Sequence, residues 1–554
     1  YTWFRVGDNM DNIKITYNNK TDEFPRGITV LEVSKKYSKY YKYDILAANV
    51  NDVIVSLNYV LDEDATIDFY DVSSNEGNKI YERTAILILS KAILDEYREQ
   101  VRIEHSIDKG IYCALSNMTP KKLDVIKNRM HEIIEESVEI QKLNINRIKV
   151  IKYYELRKMY DKVNLLKYLS NTYITIYKLD NIYDYMYGEM AINTSYVKDF
   201  NLEYINKDGF VLMLPFTYDN NKVNKYVHHE KFFNSVMEYI DWSDKIGIRN
   251  VSDINKMLAE GKWNDLIFMS EATYNKNLLD ISETISKNED IKMVLIAGPS
   301  CSGKTTTSKK LEMFLESKGL NPVALSVDDY FKERIDTPLD EDGNKDYESI
   351  NAIDTELFND QLSRLLKGEE VILPTYNFIT GQKEFKRRLK LKENAILIIE
   401  GLHSLNDELT KTIDKKNKYR IYISPLTCLN LDNHNRLNTT DNRLLRRLVR
   451  DNLRRGYNAS ETLDSWKRVR KGETEYVFPY QDKSDIVLNT SLIYEMNVLK
   501  VYAEPLLFSV NESDPNYIEA IRLINLLRMI LPMPSASIPL DSVMREFIGN
   551  GCFE

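Results

Sequence analysis

The segment GPSCSGKT, running from Gly298 through Pro299, Ser300, Cys301, Ser302, Gly303 and Lys304 to Thr305 and followed by Thr306, carries the densest chemical signal in the chain. It satisfies GxxxxGK[ST] and lies between an apolar run, MVLIA, and a helix-forming stretch, TTTSKKLEMFLESKG. Glycines at 298 and 303 let the backbone curl until successive amides face inward on phosphate oxygens, and the helix that follows adds its positive end. Lys304 is placed to balance β/γ-phosphate charge, and the Thr305 hydroxyl to bind Mg²⁺. Residues 298–306 are therefore expected to hold ATP with Mg²⁺. A chance glycine turn would lack the flanking strand and helix patterns.

Binding a nucleoside triphosphate does not fix its use, because motors, switches and transporters share this loop. The segments that follow bear on that. After VALSV comes Asp328-Asp329-Tyr330-Phe331, a carboxylate at the carboxyl end of a strand adjacent to the phosphate loop in a doubly wound sheet. From there Asp328 can take the proton of an acceptor hydroxyl during in-line attack, although an aspartate at a strand end also serves as a helix cap. The run ENAILIIEG ends on Glu400, an acid placed either to hold Mg²⁺ or to face solvent. In DNRLLRRLVRDNLRRG, Arg443, Arg446, Arg447 and Arg450 recur at one-turn spacing, with Arg454 and Arg455 beyond. Their planar forks suit phosphate, and a solvated basic helix would show the same run.

These groups need a scaffold. From Lys292 onward apolar strands alternate with helical segments, which calls for a mostly parallel sheet flanked by helices. Upstream, IKITY, ITVLEV and TIDFYDV read as short strands around a helical stretch at 33–48, a small α+β module. Helical periodicity at 84–101 and 120–140, then strand-like alternation up to Pro215, suggests a second α+β domain. Residues 232–286 read as helices. The expected fold is multidomain, α/β and α+β. Its divisions are 1–72 (small α+β module), 73–215 (second α+β domain), 216–290 (helical connector), 291–510 (α/β domain with the phosphate loop) and 511–554 (helical extension and tail).

At 554 residues the chain exceeds one hydrophobic core, and 43% hydrophobic with 29% charged residues is a globular balance. A net charge of −9 argues against a protein that coats nucleic acid, leaving room for a local basic patch. Cys113, Cys301, Cys428 and Cys552 form no CxxC pair, which predicts neither a disulfide framework nor a zinc ribbon and suits a reducing cytosol. No apolar run is long enough for a membrane span, and the opening YTWFRVGDNM lacks a signal-peptide stretch; it begins on tyrosine, so the native start is expected to be missing. A cytoplasmic protein with no membrane partner is the expectation.

In order along 293–507, GPSCSGKTT, SVDDYF, YESINAID, LPTYNF, IIEG, DNRLLRRLVRD and FPYQDKSDIVL resemble the uridine kinase and phosphoribulokinase group of P-loop kinases. The resemblance implies that Asp328 is the general base and Glu348 the ribose-binding acid, a departure from the family's aspartate. It puts base stacking on Tyr376, an acceptor contact on Arg443, and lid and phosphate contacts on Arg446 and Arg447. Asn377 stands where the family has an aspartate, and Gly381 where a histidine helps read a pyrimidine. These departures fall in the acceptor pocket rather than the phosphate site.

Residues 13–215 resemble the TGS and editing-type domains of threonyl-tRNA synthetases, through ITVLEVSKKY, LAANVNDVIVSLNYVLDEDATIDFYD, EHSIDKGIYC and YMYGEMAINTSYVKDF. The whole arrangement is similar to bacterial-type nucleoside kinases of the uridine kinase-like kind. The editing domain's HxxxH and CxxxH pairs are not kept: RTAILILSKAILDEY has no histidine, and the CRGPH-like position reads Met186-Tyr187-Gly188-Glu189-Met190. Zinc chemistry is therefore not expected; His105 with Cys113 is read as structural, and His228 with His229 as lying on the connector surface. The resemblance implies ATP-dependent phosphorylation of a nucleoside 5′-hydroxyl, uridine or cytidine first. Another sugar or pantothenate-like alcohol, and an RNA-associated ATP-responsive regulator, stay open. The expected partner is a small nucleoside, with homo-oligomerisation expected and nucleic acid not favoured.

Overall fold

The computed structural model describes residues 12–553 apart from 342, 378, 379, 412 and 428, so Cys428 and the opening segment lie outside the described residues. The chain forms two compact units. One contains residues 12–228 with Asn250–Ser252 and Asn430–Arg436; the other contains His229–Arg249, Asp253–Leu429 and Leu437–Glu554.

The first unit opens with a five-stranded mixed sheet in the order Lys20–Pro25, Asn12–Tyr17, Ala65–Asp71, Ile45–Val50, Val53–Ser56. Burial alternates along Ala65–Asp71, the period-two pattern of a strand with one face on a core. The helix Val30–Tyr37 covers that face with Val30 and Val33, and its start is fixed by a capping box between Thr29 and Glu32. The helical expectation for 33–48 is corrected here: the helix ends at Tyr37, and Ile45–Val50 is a strand paired on both sides. Its alanines favour a helix locally, but a buried central place between two partners decides the outcome.

Next comes the helix Asn75–Tyr97, capped by Ser74, whose middle is buried on every side rather than along one stripe. It packs on the helix Pro120–Glu135 and on a four-stranded antiparallel sheet in the order Asn201–Asn206, Gly209–Met213, Gly110–Ala114, Arg102–Ile107. Met186 and Met190 are core residues of this unit. Cys113 is buried as well. A buried charge cluster lies nearby: Lys162 Nζ is 2.7 Å from Asp184 and 3.1 Å from Asp432, and His434 Nδ1 is 2.5 Å from Asp184. Asp432 and His434 come from the late segment Asn430–Arg436.

The second unit is built on a five-stranded sheet in the order Asn321–Ser326, Ala395–Glu400, Met293–Ala297, Lys418–Ser424, Ile486–Asn489, every pair parallel. Met293–Ala297 is buried throughout, as a central strand covered on both faces must be. The helices Lys304–Glu316 and Thr355–Leu366 follow strands of this sheet in sequence, and a hairpin pairs Val371–Asn377 with Gln382–Leu389. Helices occupy Glu230–Lys245, Val251–Ala259 and Trp263–Ser286; Val236 and Ile240 share a core with Leu295, Leu397 and Phe358 of the sheet unit. No helix among the described residues is long and apolar enough to cross a membrane.

Candidate functional site

The phosphate loop leaves the central strand where two neighbours end. Ile296 pairs with Glu400 and Ala297 with Tyr422, so Gly298 emerges against the strand carrying Ile423. A Cβ at Gly298 would sit 2.1 Å from the Ile423 carbonyl oxygen, and Gly303 has φ +87°; neither position admits a side chain without moving backbone. Cys301 also takes a left-handed conformation, φ +60°. Thr490 Oγ1 donates to Ser302 O at 2.6 Å and fixes the outer turn.

Lys304 Nζ donates to Gly298 O at 3.0 Å and Pro299 O at 3.2 Å, which lays the ammonium across the loop. The first bond of the helix runs from Thr307 N to Gly303 O at 3.0 Å, so the amides of Lys304, Thr305 and Thr306 have no partner within the helix. Carboxylates have taken loop amides. Thr306 N and Oγ1 donate to Glu546 Oε2 at 3.1 and 2.8 Å, and Ser300 N donates to Glu473 Oε1 at 2.8 Å. Donors that collect anionic oxygens in this way fit the phosphates of a nucleotide.

Asp328 lies in the turn Val327–Tyr330, directly after the edge strand. The preceding Ser326 pairs in register with Glu400, and its Oγ donates to Glu400 Oε1 at 2.8 Å. Burial pushes Glu400 up to about 7, with the Asp328 charge adding and Lys304 opposing. A buried acid so disfavoured as an anion gains from a cation, and with the exposed Thr305 it offers the hard oxygen donors that Mg²⁺ takes. No cluster of three or more His, Cys, Asp or Glu suited to a metal occurs among the described residues.

Burial likewise raises Glu348 to about 7, Arg447 opposing. Gly472 makes room for it, since a Cβ there would lie 2.4 Å from Glu348 Cβ. Tyr376 is buried, its ring 5.6 Å from Phe331, and its amide donates to Asp329 at 3.3 Å. Gly381 sits in a turn at φ +74°, and a Cβ would meet Arg334 Cβ at 2.7 Å. The place that the resemblance gives to a base-reading histidine is thus closed in by Arg334.

The arginine helix, Thr439–Arg455, is not a solvated basic face: Arg443, Arg446 and Arg447 are buried. Arg447 Nη1 donates to Ser300 Oγ at 3.0 Å, on the loop itself. Arg443 Nη2 reaches Glu473 at 2.5 Å, with its guanidinium 5.3 Å from the Trp466 ring. Arg446 donates to Glu495 (2.7 Å from Nε), Cys301 O (3.1 Å) and Thr490 O (3.0 Å), behind the loop. The structure therefore gathers Lys304, Asp328, Glu348, Glu400 and Arg447 at one end of the sheet, with Arg443 and Arg446 as buried braces. Sequence reasoning missed the acids Glu473, Glu495 and Glu546, and also His403, which burial holds down at about 4. Only His403 had a local signal, three residues past Glu400.

A glycine loop between the central strand of a parallel sheet and a helix, with Glu400 ending the neighbouring strand and Asp328 following the edge strand beyond it, defines a P-loop nucleotide-binding α/β domain. Comparison narrows the class: residues 293–492 match the Phosphoribulokinase / Uridine kinase family. A uridine kinase of Halobacterium salinarum is 24% identical over 194 residues, covering 35% of this chain and 77% of that protein. In the N-terminal region the similarity is to threonine–tRNA ligases. That of Clostridium kluyveri is 31% identical over 192 residues, 34% of this chain, and the chain spans only 30% of the ligase's length. A solved structure described as a possible uridine kinase from Bacillus stearothermophilus shares 21% identity, covers 39% of this chain and 98% of its own, and has a TM-score of 0.28.

Proposed function

We propose that the second unit transfers the γ-phosphate of ATP to the 5′-hydroxyl of a nucleoside, uridine or cytidine before purine nucleosides. The observation that carries this reading is the convergence of Asp328, Glu400 and Lys304 on the mouth of the phosphate loop. Asp328 accepts the hydroxyl proton as the new O–P bond forms and the bond to the departing ADP breaks. Lys304 and Arg447 face the phosphates and balance their charge. Arg446 and Arg443, paired with Glu495 and Glu473, hold the loop and the acceptor wall in place. Thr305 and Glu400 would hold Mg²⁺, which supplies charge neutralisation at the phosphate oxygens. Glu348 and Tyr376 take the ribose and base ends of the acceptor. Arg334 behind Gly381 favours a second reading, a different sugar or a pantothenate-like alcohol, because it alters the base end of the pocket. A cytosolic setting is part of the proposal.

The test is incubation with ATP, Mg²⁺ and a panel of nucleosides and sugar alcohols, with products identified by mass. In the same assay Lys304→Ala should weaken ATP binding and transfer together. Asp328→Asn should keep Mg·ATP binding while transfer slows by roughly 10² to 10⁴. Near-normal transfer by folded Asp328→Asn removes Asp328 from the base role, and ATP turnover with no phosphorylated acceptor removes the kinase reading.

A further inference from the structure

The second unit carries its own anion for the phosphate loop. Of the three orphan amides in the first turn of Lys304–Glu316, that of Thr306 is bonded to Glu546, and the Thr306 hydroxyl is bonded to the same oxygen. Glu546 belongs to the short helix Arg545–Ile548, and the segment around it is built in. Val543, Met544 and Phe547 are fully buried, and Val543 lies where a Cβ on Gly303 would stand 2.5 Å away. The Arg446 guanidinium is 4.8 Å from the Phe547 ring. Arg545 donates to Ser535 O at 3.1 Å and Ile538 O at 2.7 Å, and Lys310 pairs with Asp541 at 2.8 Å.

An amide hydrogen shared between a carboxylate and a phosphate oxygen bonds each more weakly than it bonds one alone, and two anions at one helix end repel. We propose that residues 542–548 act as an intramolecular competitor of the nucleotide, with Glu546 occupying a phosphate-oxygen position that it must vacate when the nucleotide binds. This rests on the reading of 298–306 as the nucleotide site. The apolar anchors Val543 and Phe547 pack beside the loop while Glu546 is only half-buried, so freeing the carboxylate loosens the segment where it meets the loop. Nucleotide affinity is then set in part by how firmly this segment is seated, and anything that seats it more firmly lowers occupancy of the loop.

The experiment measures Mg·ATP binding by calorimetry on the full chain, using wild type, Glu546→Gln and Glu546→Ala, each checked for an intact melting transition. Loss of a competing anion from a helix N-terminus should tighten binding by about 2- to 30-fold in both variants. Unchanged or weaker binding in either folded variant overturns the proposal. Hydrogen exchange on wild type gives a second readout that needs no substitution: Mg·ATP should slow exchange in 298–306 and speed it in 542–548. Slower or unchanged exchange in 542–548 overturns the proposal. Lys304→Ala separates the two layers. If wild type binds ATP, Lys304→Ala does not, and the Glu546 variants match wild type, this inference alone fails. If wild type and all variants show no binding, the nucleotide-site reading fails with it.

Discussion

Replacing Arg446 by methionine asks whether this arginine contacts substrate or braces the loop. Arg446 has no measurable exposure, and its guanidinium is shared among Glu495, the Cys301 carbonyl and the Thr490 carbonyl, with a ring contact to Phe547. Methionine keeps the packing volume and removes the charge, leaving Glu495 buried with Asn442 (2.6 Å) and Ser491 (2.8 Å) as its remaining donors. Removing one partner of a buried ion pair costs about 3–5 kcal/mol. For a unit of about 300 residues each kcal/mol lowers the melting temperature by about 1.5 °C, so the second unit should melt roughly 5–8 °C lower. Scanning calorimetry of the full chain reads this directly. The double variant Arg446→Met, Glu495→Leu should recover most of the loss, because the stranded carboxylate is gone. If Arg446→Met melts within about 1.5 °C (about 1 kcal/mol or less) of wild type while phosphate transfer collapses, the bracing argument is wrong and the arginine acts on the phosphates.

Two further outcomes are expected. Glu348→Gln and Tyr376→Leu should raise the acceptor KM more than the ATP KM, and equal effects on both substrates in folded variants would mean the acceptor pocket lies elsewhere. Gly298→Ala puts a methyl 2.1 Å from the Ile423 carbonyl, so the loop must shift and ATP affinity should fall by at least about tenfold; calorimetric binding at the wild-type level would show that the loop conformation is not required.

The sheet of the second unit was legible because buried parallel strands read as unbroken apolar runs, and MVLIA, AILIIE and YRIYIS are such runs. The loop was legible because its glycines answer local backbone needs, a close approach at Gly298 and a positive φ at Gly303. Strand Ile45–Val50 was not, since its two neighbours are distant in sequence and its alanines suit either state. The arginine run showed its composition but not its direction. Only the fold reveals that Glu473 and Glu495, each tens of residues away, draw Arg443 and Arg446 inward and leave Arg447 on Ser300. Glu546 lies 240 residues from the amide it meets, beyond any local pattern.

The charge cluster of the first unit has a consequence for synthesis. Asp432 follows Lys162 by 270 residues in the chain. At about 5–20 residues per second, a ribosome delivers it about 15–50 s after the lysine. During that interval the nascent first unit holds a buried ammonium with Asp184 but without Asp432 and His434. The usual order, in which an N-terminal domain matures before the next is translated, is closed to this chain. Its first unit is completed only when most of the second has left the ribosome, so a transcript truncated after His228 encodes a unit lacking its own final segment.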